Sequence, residues 1–106
     1  FQGNILKYSN DGAFYTDHSN EMIWNQTYEM SNPAVDICGS YLVIYDKKGK
    51  DIYILDKNGL VHSVETNHPV TQVSVAGQGT IAVLMDNRSK GLLSLYDKEG
   101  NFLVGS

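Results

Sequence analysis

The sequence predicts an all-β protein made of short antiparallel strands, and three observations predict this class. Apolar residues come in short runs rich in Val, Ile and Tyr, which is typical of strands. Gly, Asn and Asp separate these runs and favour tight hairpin turns. One turn pattern also recurs along the chain, which indicates internal repeats.

The strand signals place eleven strands in the chain, and no stretch carries a sustained helical stripe. We predict strands at Ile5–Tyr8, Ala13–Asp17, Met22–Tyr28, Ala34–Cys38, Tyr41–Tyr45, Asp51–Asp56, Leu60–Glu65, Thr71–Val75, Thr80–Met85, Leu92–Asp97 and Phe102–Val104. Their short connections, such as Asn10-Asp11-Gly12, Cys38-Gly39-Ser40, Lys48-Gly49-Lys50 and Gly77-Gln78-Gly79, are hairpin turns in this interpretation. The predicted arrangement is an antiparallel meander.

The repeat is clearest in a hairpin turn. Asp56-Lys57-Asn58-Gly59 returns as Asp97-Lys98-Glu99-Gly100, with the two Asp residues 41 positions apart. A weaker copy begins at Asp17, and Asn32-Pro33 is echoed by His68-Pro69. A four-stranded antiparallel unit that repeats every 40 residues or so is typical of a β-propeller blade.

The blade interpretation gives each strand an expected environment. The middle strands, Tyr41–Tyr45 and Ile81–Met85, are apolar enough to be covered on both faces. The innermost strands should carry small residues near the propeller axis, and the candidates are Ala34, Cys38, Ser74 and Ala76. The outermost strand Leu60–Glu65 should be half exposed. In the repeated turn, Gly59 and Gly100 should take the left-handed conformation of a bulged hairpin.

The repeats divide the chain into a partial blade of three strands at 4–32 and complete blades at 33–67 and 68–106. This makes about two and three-quarter blades, whereas a closed propeller has about four to eight. We therefore expect a functional unit larger than the chain, or self-association through open blade faces. Residues 1–3 match the string that a common tag-removal protease leaves, so they are either native or a tag scar.

Composition excludes several classes of function. The chain has 106 residues and a formal net charge of −4, which disfavours a nucleic-acid partner. No run approaches the roughly 18 apolar residues of a membrane-spanning helix, so we expect no direct membrane insertion by this segment. Cys38 is the sole cysteine, which excludes an internal disulfide and a multi-cysteine metal site.

Several segments carry a family likeness: Ile5–Gly12, Trp24–Pro33, Val35–Gly39, Gln72–Ala76 and Leu95–Asn101. On these residues the chain, from Asn4 onward, resembles an uncharacterised family of propeller-like domains of Gram-positive bacteria with WD- or PQQ-like repeats. The resemblance implies the N-terminal blades of an extracytoplasmic domain, on the cell-surface side of a single-pass membrane protein. It implies no catalytic residue, because none is established for the family.

Several residue groups suggest chemistry but fit a structural role better. Asp17-His18-Ser19 has the residue types of a hydrolase triad, yet consecutive residues in a turn diverge. Gly77-Gln78-Gly79 lacks the third glycine and the helix of a dinucleotide site. A calcium loop starting at Asp56 would need Glu at its twelfth position, which is Asn67. His18, His62 and His68 lack the spacing of a zinc site.

Two surface features also have competing interpretations. Lys47, Lys48, Lys50 and Lys57 could form a basic edge, but the intervening Asp46, Asp51 and Asp56 favour a solvated hairpin rim. Trp24 with Tyr28 could be an exposed recognition patch. As a residue of an outer strand, Trp24 is more naturally expected to cover the neighbouring blade.

We therefore expect a non-catalytic interaction or sensing module, with no catalytic, cofactor-binding or metal-binding residue and no cofactor. Its partner would be a protein, a peptide or a glycan, bound at a loop-rich face or central channel. Asp36 and Gln72, at matching points of the innermost strands, are the residues expected there. Two alternatives stay open: a hydrolase or quinone-dependent propeller enzyme completed by further blades, and a structural spacer at the cell surface.

Overall fold

The computed structural model describes residues 2–88 and 90–105, and every regular element among them is a β-strand. The strands are β1 (Ile5–Ser9), β2 (Gly12–Thr16), β3 (Met22–Thr27), β4 (Pro33–Cys38), β5 (Tyr41–Asp46), β6 (Asp51–Asp56), β7 (Gly59–Glu65), β8 (Val70–Val75), β9 (Ile81–Asn87), β10 (Lys90–Tyr96) and β11 (Phe102–Gly105). Each predicted strand is present, within a few residues at its ends. Within the described ranges, no helix is long and apolar enough to cross a membrane.

The strands form three antiparallel sheets, each a simple meander. Sheet 1 is β1-β2-β3, sheet 2 is β4-β5-β6-β7, and sheet 3 is β8-β9-β10-β11. The prediction of an all-β fold is confirmed, and three sheets of three, four and four strands are consistent with an open, partial propeller-like array. Short linkers connect one sheet to the next, and the first of them contributes Tyr28 and Met30 to the core between sheets 1 and 2.

Sheet 2 lies in the middle of the stack because its side chains alternate between two apolar faces. Leu42 and Ile44 of β5 enter the core shared with sheet 1, beside Tyr15 and Trp24. Their neighbour Val43 enters the core shared with sheet 3. The sheet 2–sheet 3 core is completed by Tyr45, Ile52, Ile54, Val64, Val70, Val73, Val75, Ile81, Val83 and Met85.

Sheet 3 departs from the expected burial on its outward face. Ile81, Val83 and Met85 are buried against sheet 2, but Leu84 between them is 38% exposed. The prediction that Ile81–Met85 is covered on both faces is therefore wrong. Strand composition indicates that a strand can be covered, whereas actual burial depends on a neighbouring sheet, and sheet 3 has one on one side only among the described residues.

The innermost and outermost strands follow the prediction in part. On β7, Leu60, His62 and Ser63 are exposed while Val64 is buried, as expected for a half-exposed outer strand. The expected crowding of small residues on the innermost strands is absent at Cys38 and Ser74, which are both exposed. Three sheets bring too few innermost strands together to bury both positions.

The repeated hairpins have the predicted bulges. Pairing shifts register between Ile54 and Leu55 in sheet 2 and between Leu95 and Tyr96 in sheet 3. Gly59 and Gly100 have φ angles of 112° and 81°, which residues with a side chain rarely adopt. Sheet 1 has the same bulge after Tyr15, and there Asn20 takes the left-handed conformation with φ 64°.

Candidate functional site

The repeated Asp residues hold turns together. Asp17 Oδ1 accepts hydrogen bonds from the backbone N–H groups of Ser19 and Glu21, at 2.8 and 3.0 Å. The Asp56 carboxylate accepts the N–H of Asn58 at 2.8 Å. These are the local side-chain-to-backbone bonds that Asp makes in turns, so the turn interpretation of Asp17-His18-Ser19 and of Asp56–Gly59 is confirmed.

The Asp97 carboxylate accepts three hydrogen bonds within its own turn. Its Oδ1 accepts the N–H groups of Glu99 and Asn101 at 3.0 and 2.8 Å, and its Oδ2 accepts the Asn101 side-chain amide at 3.1 Å. The bonds from Asn101 lead the causes that lower the pKa of Asp97 below its ordinary value of 3.8. Donors aimed at a carboxylate favour its charged form.

Lys98, in the same turn, fastens sheet 3 to sheet 2. Its ammonium group donates to the Tyr41 hydroxyl at 3.2 Å and lies 5.7 Å from the centre of that ring. The hydrogen bond to Tyr41 raises the pKa of Lys98. This cation therefore has a structural role at the end of the stack that carries the Asp turns.

Trp24 and Tyr28 belong to the core between sheets 1 and 2. The Trp24 indole N–H donates to the Asp56 carbonyl at 3.1 Å, so Trp24 covers the neighbouring sheet, sheet 2, as expected for a residue of an outer strand. Tyr28 packs edge-on against Tyr53 with ring centres 5.8 Å apart, and burial raises its pKa. Neither residue forms an exposed recognition patch, since each is 7% exposed.

Asp36 joins the innermost strands of two sheets, but Gln72 is not its counterpart. Asp36 Oδ2 accepts the Val75 N–H at 2.9 Å. Asp36 lies opposite Val43 on β5, and the residue at the matching place on β8 is Ser74, opposite Ala82. The prediction that paired Asp36 with Gln72 is wrong by two residues. Pro33, opposite Asp46, is matched by Val70, opposite Met85, and not by Pro69, and a bulge between Val70 and Gln72 adds a further residue to β8.

A cleft of about 430 Å³ opens between sheets 2 and 3, at the end of the stack opposite the Asp turns. Its lining combines two cations, an anion, a hydroxyl and two apolar residues: Lys47, Lys48, Asp86, Thr71, Pro69 and Val70. The lysines come from the β5–β6 turn, and the other residues come from sheet 3 and the linker before it.

Backbone hydrogen bonds fix the walls of this cleft. The Lys48 N–H donates to the Val70 carbonyl at 2.7 Å, and the Val70 N–H donates to the Gly49 carbonyl at 2.8 Å. The Lys47 N–H is held by the Asn32 carbonyl at 2.9 Å. Lys48 itself is held at φ 69°, a conformation that is uncommon for a residue with a side chain. The two exposed lysines therefore stand on a constrained backbone.

The four lysines considered for a basic edge, for which the sequence favoured a solvated hairpin rim, are divided between two places. Lys47, Lys48 and Lys50 lie around the β5–β6 turn, whereas Lys57 lies in the β6–β7 turn at the other end of β6. Consecutive turns of a meander alternate ends, so four lysines that are close in sequence cannot share one edge. The part played by Pro69, Val70 and Asp86 was outside the reach of sequence reasoning, because sheet-to-sheet contacts bring them to the lysines.

Comparison with known families assigns the chain to a protein family. The model of the family of unknown function DUF5711 matches residues 1–106, so the chain belongs to that family. No curated protein matches the chain. Family membership assigns no reaction and no partner to it.

Proposed function

We propose that this member of a family of unknown function is a non-catalytic interaction module, and that its partner is a protein carrying an acidic peptide segment. The segment would lie in the cleft between sheets 2 and 3, with its carboxylates beside Lys47 and Lys48. In this proposal the chain contributes blades of an extracytoplasmic propeller of a single-pass membrane protein. The resemblance carried by Trp24–Pro33 and Leu95–Asn101 supports that setting.

One observation carries the proposal: on an acidic chain, a cleft with constrained walls is lined by two lysines and a single carboxylate, that of Asp86. The chain has a net charge of −4, yet two exposed lysines line one wall of the cleft between sheets 2 and 3. Pro69, which is exposed, supplies an apolar surface for the body of a peptide, and a fixed backbone reduces the entropy lost on binding. Carboxylate-bearing ligands match such a site in charge.

Other polar groups that could do chemistry have structural partners. Asp17, Asp56 and Asp97 bond to backbone amides of their own turns, and Asp36 bonds to Val75. Lys98 bonds to Tyr41. These contacts explain the five residues without a reaction, which supports a binding role over an enzymatic one.

The experiment is a titration of isotope-labelled protein with a glutamate-rich hexapeptide, followed by backbone amide NMR. We expect the largest shifts at Lys48, Val70 and Thr71, with a dissociation constant of about 1 mM or below that weakens as salt rises. Lys47→Gln/Lys48→Gln should weaken binding about tenfold. The matched control Lys7→Gln/Lys57→Gln changes the net charge equally and should leave binding within about twofold.

Equal weakening by both double variants would reduce the effect to net charge and refute the proposal. An absence of shifts at the cleft at millimolar peptide would refute it as well. A trimer of galacturonic acid tests the carboxylate-bearing glycan as an occupant. Tighter binding of the trimer than of the peptide would contradict the assignment of a protein partner.

A further inference from the structure

The edge of β1 is the most unusual surface of the described chain, because its counterparts in the other sheets are covered. β1 lies at the edge of sheet 1, whereas β5 and β9, the strands that occupy the same place in sheets 2 and 3, pair on both sides. Their additional partners are the innermost strands β4 and β8. Sheet 1, as far as the chain is described, therefore has every strand of the repeat except the innermost one.

The pairing register matches β1 to β5 residue by residue. Tyr8 lies opposite Ala13, which is four residues before Asp17, and Tyr45 lies opposite Ile52, which is four residues before Asp56. Tyr8 and Tyr45 are thus equivalent. Leu6 is the equivalent of Val43 by the same register.

The exposed fractions of side chains at these equivalent positions show that the open edge leaves apolar surface in contact with water. Tyr8 is 47% exposed whereas Tyr45 is 5% exposed, and Leu6 is only partly buried whereas Val43 is fully buried. Tyr45 has Ala34 of the innermost strand beside it. Leu6 packs on the core between sheets 1 and 2, and alternation puts Tyr8 on the same side of β1.

An edge strand also leaves backbone groups free to pair. Every second residue of β1 points its N–H and C=O away from β2, and such an edge can accept an added strand. β1 is five residues long and carries Lys7, features that limit indiscriminate pairing. An occupant would therefore need side chains that suit the site.

β4 and β8 show what those side chains are. Opposite Tyr45 and its counterpart Leu84 they place a small or polar residue, Ala34 or Gln72. The next residue is Val in both strands, Val35 and Val73, and the residue after it is a hydrogen-bonding one, Asp36 or Ser74.

Asp36 provides the specific contact. Its carboxylate accepts the N–H of Val75 on the next innermost strand. The residue of β4 equivalent to Val75 is Ile37, because Val75 pairs with Ile81 and Ile37 pairs with Leu42. An Asp at the same place in a strand added to β1 would therefore reach the Ile37 N–H.

We propose that β1 is a strand-addition site for an extended peptide segment supplied by a partner protein, antiparallel to β1, with the pattern small residue, Val, Asp, aliphatic residue. The added strand covers Leu6 and Tyr8 and bonds to the Ile37 amide through its Asp. This site lies at the β1 edge and is independent of the cleft between sheets 2 and 3.

The test uses the full chain and a synthetic peptide with the sequence of residues 32–39, including Cys38→Ser. Hydrogen exchange with and without the peptide is the readout. We expect exchange of the β1 amides to slow about tenfold or more at saturation, with a shift of the Ile37 amide in NMR spectra. Exchange in β5 and β6 should not change, which confirms that the fold is intact.

Two peptide controls separate strand addition from general adhesion. Replacing the peptide's Asp36 by Ala (Asp36→Ala) should weaken binding about tenfold, as expected for a hydrogen bond to a charged group. N-methylation of alternate amides blocks one hydrogen-bonding edge while keeping the side chains. One of the two alternating patterns should abolish protection of β1, and the other should retain it.

Three results would overturn the proposal. The first is an unchanged β1 at millimolar peptide. The second is protection located on β11 or on the outward face of sheet 3. The third is equal binding of both N-methylated peptides, which would show that the contact does not use the backbone edge. None of these results bears on the lysine cleft, so failure here is distinguishable from failure of the acidic-peptide proposal.

Discussion

The same repeated position has opposite environments in sheet 2 and in sheet 3. Ile52 of β6 is fully buried, whereas Leu93, its equivalent on β10, is 45% exposed. Both strands carry the apolar sequence of a middle strand. The difference lies in what covers them: sheet 3 packs on Ile52, and none of the described sheets packs on Leu93. Repetition in sequence thus encodes a shared structure, and stacking then decides which copies belong to the core.

Truncation of this equivalent pair is expected to give the largest difference. Ile52→Ala removes a fully buried side chain and should lower the free energy of unfolding by about 3 kcal/mol, since a cavity remains in the core. Leu93→Ala should cost less than about 1 kcal/mol because the side chain is already half in water. Urea unfolding of the two variants measures both values. Equal losses would contradict the assignment of Ile52 to the core and Leu93 to the surface.

The turn position shared by Gly100 and Asn20 gives the next largest effect. Gly100→Ala forces a side chain to φ 81° and into contact with His62, so it should destabilise by about 2 kcal/mol. Asn20→Gly should be neutral or stabilising by up to about 1 kcal/mol, because Asn20 is at φ 64° and glycine adopts that conformation freely. Thermal unfolding tests the pair. A destabilised Asn20→Gly variant would show that the Asn20 side chain contributes more than its conformation costs.

The bond between Asp36 and Val75 gives a smaller effect. Asp36→Ala leaves the Val75 N–H without its acceptor and should lower the free energy of unfolding by about 1–2 kcal/mol. Ser74→Ala, at the equivalent place in sheet 3, should change it by less than about 0.5 kcal/mol because Ser74 is exposed. Chemical denaturation followed by Trp24 fluorescence provides the measurement. Similar losses of unfolding free energy in the two variants would contradict the claim that the bond to Val75 makes Asp36 more important for stability than Ser74.

The smallest expected effect is the acid dependence of the Asp97 turn. Hydrogen bonds from Asn101 lower the pKa of Asp97 in the folded state below 3.8. A lowered folded-state pKa contributes stability above the unfolded-state value and loses it as the pH falls through the folded-state value. Asp97→Asn should therefore flatten the stability profile below about pH 4, and a carboxyl NMR titration of Asp97 should show the lowered pKa directly. A midpoint at or above the ordinary value would contradict the bonding described for this turn.

Sequence reasoning anticipated local structure well and contacts between sheets poorly. Strands and turns depend on neighbouring residues, so the bulges at Gly59 and Gly100 could be placed from the repeated Asp turn alone. The counterpart at Asn20 was harder to foresee, because Asn replaces the glycine that marks the other two copies. The misplaced pairing of Asp36 with Gln72 arose from a shift of two residues, because Pro33 is matched by Val70 and not by Pro69 and because a bulge adds one residue to β8. Spacing between prolines reveals neither.

The candidate sites were beyond the reach of the sequence for a related reason. The cleft brings Lys48 to Val70 through a contact between two sheets, and no local pattern records such a contact. The open edge of β1 is defined by a strand that sheet 1 lacks among the described residues. The spacing of the repeats did indicate that absence, but its effect on Leu6 and Tyr8 required the register of sheet 1 and the burial of its neighbours.

Native-state hydrogen exchange of the chain without any ligand tests the central claim most directly, namely that sheet 2 is the core and that β1 is an open edge. We predict that amides of β5 and β6 exchange only through global unfolding, that those of β9 and β10 follow, and that outward amides of β1 exchange through local opening many times faster. Protection of all β1 amides to the level of β5 would contradict the account, because an edge without a partner cannot supply it.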